Sequence, residues 1–373
     1  MIEYRTFLNT DTPVLAGLWN SQAPHPLRLR HTTVKLWDEL PLGKLDFDPF
    51  GFWVAEAGNS VVGFVHASVL TSPPEAVRPA IDLPSEVATA SSIATDHGHL
   101  EDDPAVRWGA IHQLVLAPAT APVWTTLGAA ADSTGLRAQV AEQLIRCGLE
   151  YFEERGVSRL VAGGVPAMDP FYLGFHGGSQ THGLLTDDHE LRTFFEHAGF
   201  QATGGRVIRQ RSLAGFRPPV DRQQLNWKRC ATATWGTDLN TASPAAMAPV
   251  WPSRLSPQQS AALGTRDRYA LAVEVTGAGS RFLQLGFWDM QPLACEWGLR
   301  AAGLLEAHWD EQAWSDGLAL FAVAESLRQL QQRGIDLVEI QSADDDPRWR
   351  GLTTSLGFSD VATSTLLMRQ DSC

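Results

Sequence analysis

Apolar positions along this chain fall into short alternating or continuous runs that read as strands, and into three- and four-residue spacings that read as helices. From the N-terminus the pattern predicts a strand over 2–7 and a helix over 11–20, capped by Thr10 or Asp11, with Pro13 tolerated in its first turn. A hairpin follows, 51–56 and 61–70 about the turn Ala57-Gly58-Asn59-Ser60. Residues 71–104 are polar, rich in Pro, Ser, Thr and Asp, and read as a long excursion. Next come a strand over 110–116 stopped by Pro118, a helix over 135–155 ended by Gly156, and a strand over 159–162. A glycine-rich loop, a helix over 189–197 and a strand over 206–211 close the unit.

Residues 214–219 break structure on both sides through Gly215, Pro218 and Pro219, and beyond them the pattern recurs. Strands are predicted over 269–275 and 281–288 around Thr276-Gly277-Ala278-Gly279, then a strand over 301–309 and a helix over 317–333. A strand over 337–341, a short helix running to Gly357-Phe358 and a last strand over 363–368 follow. The long helices end in Glu-Arg-Gly-Val (154–157) and Gln-Arg-Gly-Ile (332–335), and each half later reads Ala-Gly-Phe (198–200) or Leu-Gly-Phe (356–358). Strand, helix, strand, helix and strand follow in the same order in both, so the chain reads as one α/β unit written twice, 1–214 and 215–373.

Composition agrees with two folded cores. The 373 residues are 44% hydrophobic and 19% charged, and length alone favours two domains. The net charge of −13, with only Lys35, Lys44 and Lys228 as lysines, argues against a nucleic-acid or anionic-membrane partner, which would need clustered cations. Cys147, Cys230, Cys295 and Cys373 lie far apart, which suits a reducing compartment better than a disulfide framework. The opening Met-Ile-Glu-Tyr-Arg-Thr-Phe lacks the regions of a signal peptide, and no apolar run reaches membrane-span length, so the expectation is a cytoplasmic protein.

The second half carries Gly317-Leu318-Ala319 at a helix start, 17 residues ahead of Gly334 and 40 ahead of Gly357, with Asp346-Pro347 between. This spacing resembles the GCN5-related N-acetyltransferase (GNAT) superfamily, whose signature is a strand, a Q/R-x-x-G-x-G/A turn and a long helix. In the first half the same count places Gln139-Val140-Ala141 at the turn, with Gly135-Leu136-Arg137 as a second register. Pro170-Phe171-Tyr172-Leu173-Gly174-Phe175-His176-Gly177-Gly178-Ser179 resembles a loop of a tandem subgroup, of which mycothiol synthase is a two-domain relative. The resemblance implies two tandem acyl-CoA N-acyltransferase domains, each a mixed, mostly antiparallel sheet flanked by helices.

It also implies acetyl-CoA as co-substrate, with no metal. Backbone amides at a helix N-terminus hold a pyrophosphate without many basic side chains, which suits an acidic protein. The implied cradle is Gly317, Leu318 and Ala319, with Leu305, Ala307 and Trp309 pairing the pantetheine arm. In the first half the corresponding residues are Arg137, Gln139, Val140 and Ala141, with Leu114 and Leu116. Charge favours the first half, through Arg137. Backbone permissiveness favours the second, which is preferred, although Asp316 stands beside its phosphate site.

Acetyl transfer needs a base for the amine and an acid for the departing thiolate. The family's usual acid, a Tyr four residues before the late glycine, is Phe195 in one half and Thr353 in the other. Tyr172 is the candidate substitute. His112 is the candidate base in the first half, and Glu306 and His308 are its second-half counterparts, two residues apart on one strand face. Asp96-His97-Gly98-His99 and Asp344-Asp345-Asp346 read as solvated turns rather than metal sites, and the 13 tryptophans read as core packing. The implied activity is transfer of acetyl to the amine of a small molecule or peptide by direct attack, in a monomer or homodimer. The alternative is a degenerate acetyltransferase that only binds a ligand or partner.

Overall fold

The computed structural model describes residues 2–44, 47–70, 107–126, 133–164, 171–180, 182–236, 268–275 and 281–370. The polar excursion 71–104, including His97 and His99, and the turn 276–279 lie outside them. Thirteen strands among the described residues form one sheet. In the first half β1 (Ile2–Thr6), β2 (Phe52–Ala57), β3 (Ser60–Leu70) and β4 (Trp108–Leu116) pair antiparallel in sequence order, and β4 pairs parallel with β5 (Arg159–Ala162). The second half repeats this. β8 (Ala231–Gly236), β9 (Arg268–Val275), β10 (Arg281–Asp289) and β11 (Ala301–His308) are antiparallel, and β11 pairs parallel with β12 (Leu337–Ala343).

The closing strands cross over. β5 lies against β13 (Ser359–Gln370), the last strand of the chain, and β12 lies against β7 (Gln201–Ser212), the last strand of the first half. β7 and β13 pair with each other in the centre, and the short β6 (Leu184–Leu185) pairs with β13. Each half therefore contributes one strand to the other's parallel pair. Arg209 on β7 fastens the crossover from a buried position, donating to Ser342 Oγ at 2.6 Å and to Asp360 Oδ1 at 2.8 Å.

Only the beginning of each parallel pair is joined. Trp108–Ile111 match Arg159–Ala162, and Ala301–Gly303 match Leu337–Glu339. β4 runs on past the end of β5, and β11 and β12 part beyond Gly303 and Glu339. A β-bulge sits at each parting, because the antiparallel register skips His112 on β4 and Leu305 on β11. Two V-shaped openings result, one in each half.

A long helix backs each opening. Ser133–Glu153 buries Val140, Ala141, Leu144, Ile145 and Phe152 along one stripe, and Leu318–Gln332 buries Leu318, Ala322, Leu327 and Leu330. Gly156 and Gly334, at φ +64° and +77°, end them in the left-handed conformation that the predicted stops require. The first core crosses the sequence boundary, since Trp288, Met290, Leu293 and Leu367 pack with Trp19, Phe64 and Tyr172. Trp19, Trp37, Trp108, Trp124, Trp288 and Trp349 are buried, as the tryptophan reading expects. The sequence pattern does not predict helices Val34–Glu39, Arg222–Cys230 and Gln291–Trp297, all of which are short. The predicted strand 206–211 begins earlier, at Gln201, and Trp309 falls just past β11. No described helix is long and apolar enough to cross a membrane, and Cys147 and Cys295 are free thiols.

Candidate functional site

The opening of the first half leads into a cavity of about 280 Å³. Its walls are the end of β4 (Gln113 to Leu116), Trp19, Gln22 and Ala23 from the end of helix Thr12–Asn20 and the residues after it, and Arg28. Pro118, Ala119, Arg137 near the start of the long helix, and Asp188, Glu190 and Leu191 complete it. Ala117 donates its amide to Val62 on β3, so by alternation the backbone groups of Leu116 and Leu114 turn away from β3 into the opening. Gln22 Nε2 reaches the Leu116 carbonyl at 2.9 Å from that side. The two residues expected to pair a pantetheine arm are thus at the cavity wall.

Charged groups of both signs stand around it. Arg137, buried, donates to the Ala117 carbonyl at 3.0 Å and to the Glu190 carboxylate on the facing helix His189–His197. Arg28 contacts Asp188 at 3.3 Å. Burial raises the Asp188 carboxyl above its ordinary value against the pull of Arg28, and neighbouring Asp187 adds to the rise. Sequence reasoning missed Asp188, Glu190, Gln22 and Trp19, because each is brought in by tertiary packing.

Gln139, Val140 and Ala141 do not form a turn. They lie inside helix Ser133–Glu153, where their amides are used by the helix, with Gln139 exposed and the other two in the core. Gly135 lies in the first turn of that helix, so the second register falls at a helix start, as the motif requires.

The candidate catalytic groups of the first half come together behind the cavity wall. His112 Nε2 and Ser68 Oγ are 2.6 Å apart, Tyr172 Oη and His66 Nδ1 are 3.3 Å apart, and the His66 and His112 ring centres are separated by 5.1 Å. Phe171 packs on both imidazoles, at 4.6 and 4.8 Å. Tyr172 stacks on Trp19 at 6.0 Å, and His176 Nδ1 lies 3.1 Å from Gln113 Nε2. Tyr172, His112 and His66 are fully buried. Burial, together with His112, holds the His66 imidazolium well below the ordinary histidine value, which favours the neutral ring.

The corresponding opening of the second half is filled by the chain itself. Gln180 Nε2 donates to the carbonyls of Leu304 and Leu305 at 2.9 and 3.4 Å, on the parting stretch of β11. Ser179 occupies the fork. Its amide donates to Glu339 Oε1 at 2.6 Å and its carbonyl accepts from Trp288 Nε1 at 3.0 Å. Gln341 Nε2 holds the Gly177 carbonyl at 2.7 Å and Glu339 Oε1 at 3.0 Å. The helix start is filled as well. Asp316 accepts from the Leu318 amide at 3.1 Å and pairs with Arg281, which also holds Asp310. Gln223 and Trp227 donate to the Asp316 carbonyl, and a Cβ on Gly317 would lie 2.8 Å from Gln223 Cδ.

The remaining second-half candidates are set around this filled cleft. Leu318 and Ala319 are core residues, Ala307 and His308 are half-buried at the end of β11, and Trp309 packs with Trp314 and Trp349 at 5.1 and 5.5 Å. The backbone of Glu306 pairs with Gly286. His112 corresponds to Leu305, the other bulged residue, rather than to Glu306 or His308. Among the described residues no group of three or more His, Cys, Asp or Glu side chains is gathered as metal ligands would be.

No family model matches the sequence, and no curated protein does. Solved structures do. A fungal multi-domain GH3 β-N-acetylglucosaminidase containing a GCN5-related glucosamine N-acetyltransferase region superposes with a TM-score of 0.63 at 14% identity, over 99% of this chain and 38% of its own. A tandem GNAT protein from the clavulanic acid biosynthesis pathway gives 0.53 at 12% identity, over 100% of this chain and 99% of its own. A GCN5-related N-acetyltransferase from Sphaerobacter thermophilus gives 0.53 at 12%, over 99% and 95%. These likenesses run along essentially the whole chain and establish its fold.

Proposed function

We propose that this chain, which has the fold of tandem GCN5-related N-acetyltransferases, moves an acetyl group from acetyl-CoA to the amine of a small molecule or peptide, and that it does so in the first of two fused units, 1–214 and 215–373. The observation that carries the choice of unit is the contrast between the clefts: one opens into a 280 Å³ cavity, whereas the other is filled by Gln180, Ser179, Gln223 and Asp316. In this reading the backbone of Leu114 and Leu116 pairs the pantetheine arm, and the first-turn amides of helix Ser133–Glu153 with Arg137 hold the phosphates. The second unit, with Glu306, His308, Gly317, Leu318 and Ala319, takes no part in binding.

The neutral amine attacks the thioester carbonyl, the C–S bond breaks as coenzyme A departs as its thiolate, and the nitrogen must lose a proton. Asp188 stands at the cavity wall with a raised carboxyl value and is the group placed to take it. Tyr172 and His112 lie behind Trp19 and Gln113, so proton transfer through either needs that wall to open. Phe195, buried where the family's acid tyrosine stands, favours the second reading, a binding module without chemistry.

Calorimetric titration with acetyl-CoA tests the proposal, using the parent, Ala119→Trp, which fills the first cavity, and Gly317→Glu. Binding by the parent, its loss in Ala119→Trp and its retention in Gly317→Glu are expected. No binding to the parent, or loss in Gly317→Glu alone, overturns it. Turnover over a panel of amines then separates enzyme from binding module.

A further inference from the structure

Residues 171–180 are one short segment with its two ends in different halves. At one end Phe171 and Tyr172 pack on His66, His112 and Trp19, Phe175 packs on Trp19 and Trp37, and His176 meets Gln113. Trp19 and Gln113 are walls of the first-half cavity. At the other end Gly177 to Gln180 sit in the second-half cleft. We infer that this cleft has become a clamp for the first-half site, and that Glu339 is its central positioning residue.

Glu339 is fully buried on β12, a position a carboxylate tolerates only when its oxygens are matched by donors. Its donors are the Ser179 amide at 2.6 Å, Gln341 Nε2 at 3.0 Å and Gln210 Nε2 at 2.9 Å. Two of these tie to the loop, since Gln341 also holds the Gly177 carbonyl. The loop backbone is shaped to this acceptor. Gly178 has φ +76°, and a Cβ there would lie 2.9 Å from Glu339 Cδ. The segment is too short to absorb a shift at Ser179 without moving His176 and Tyr172, three and seven residues away. What the second half recognises in its cleft is therefore the first half's own loop, and the product of that recognition is the placement of Trp19 and Gln113.

The inference rests on the first-half reading above for its effect on acetyl-CoA, and stands apart from it for its effect on the loop. The test compares the parent with Glu339→Gln, which turns an amide NH₂ toward existing donors, and Gly178→Ala, which presses on the same carboxylate from the loop side. Hydrogen exchange of residues 171–180 is expected to quicken about tenfold in both, at the Phe171–His176 end as well as at Gly177–Gln180. The acetyl-CoA Kd is expected to rise five- to tenfold in both. In the parent, saturating acetyl-CoA should slow exchange at Gly177–Gln180, as reciprocal coupling requires, and should fail to do so in Glu339→Gln. Ser179→Ala keeps the amide that makes the contact and should behave as the parent. Gln223→Ala, in the same half but touching residues 316–317 ahead of the helix, should leave both readouts unchanged. Unaltered exchange in Glu339→Gln, or loosening confined to Gly177–Gln180 with an unchanged Kd, overturns the clamp. If the parent binds no acetyl-CoA, the first-half reading fails and the clamp is judged on the spread of exchange alone.

Discussion

Gly303 on β11 and Ser179 in the first-half loop stand so close that a Cβ on the glycine would run into the Cβ of the serine. The same Cβ would come within 3.0 Å of Met290 Sδ and 3.1 Å of Trp288 Nε1. The fork of the second half thus has room for a protein backbone and for little else. Replacing Gly303 by Ala overpacks a buried junction between the halves and is expected to destabilise by about 1–3 kcal/mol. Urea unfolding of Gly303→Ala checks it, and a midpoint equal to the parent's would show that the loop does not occupy the fork.

The helix start in the second half satisfies itself. Asp316 accepts from the Leu318 amide and pairs with Arg281, whose guanidinium also holds Asp310. An internal carboxylate here does what a bound anion would do at an open helix N-terminus. Asp316→Ala is expected to cost about 0.5–2 kcal/mol, the usual range for a lost cap. It is also expected to leave acetyl-CoA affinity unchanged, because Gln223 and Trp227 still cover Gly317. Thermal melts and calorimetry on one preparation read both effects.

Much of this architecture is visible in the residues themselves. Gly156 and Gly334 mark the ends of equivalent helices, and the repeated order of strands and helices gives the duplication. The choice of half turns on contacts that the string of residues does not display. Gly317-Leu318-Ala319 keeps the small residues of a phosphate turn, but their freedom is used by Gln223, a side chain ninety-odd positions earlier that no local pattern links to them. Gly177-Gly178-Ser179-Gln180 is conspicuous as a string, yet its role depends on Glu339, Gln341 and the carbonyls of Leu304 and Leu305. The strand crossover is equally hidden, since β7 and β13 each satisfy the same alternation in either half. In the first half, Gln139 fails because the helix starts at Ser133, earlier than a count back from Gly156 suggests.

Arg137 and Glu190 link the two helices across the mouth of the first-half cavity, with Arg137 buried and Glu190 half-exposed. If Arg137 holds the coenzyme phosphates as proposed, a carboxylate there competes with them for the same guanidinium. Glu190→Ala is expected to tighten acetyl-CoA two- to tenfold, and Arg137→Ala to weaken it about tenfold, near 1.4 kcal/mol. The gain in Glu190→Ala should shrink as ionic strength rises, because the interaction is partly screened. Calorimetry at two salt concentrations decides the matter, and equal affinities in the parent and Glu190→Ala would remove Arg137 from the phosphate site.

His66 and His176 are both buried in the first half, and burial is the chief reason that each imidazolium lies well below the ordinary value of 6.5. His112 opposes charge on His66, and Arg28 and His25 oppose charge on His176. In the unfolded chain both titrate near 6.5, so below that pH the unfolded state takes up protons that the native state refuses. The sign follows directly: stability is full above about pH 7 and is lost as pH falls through 6.5 toward the depressed native values. Each such proton steepens the loss by about 1.4 kcal/mol per pH unit. Urea midpoints measured from pH 7.5 down to 5 should therefore fall well before ordinary carboxylates titrate. A His176→Asn variant, compared with itself across the same range, should show the slope reduced by one proton. A parent midpoint that stays flat to pH 5 would mean that these rings accept protons in the folded state, and hence that the wall between the cavity and the Tyr172–His66 pair is open to water.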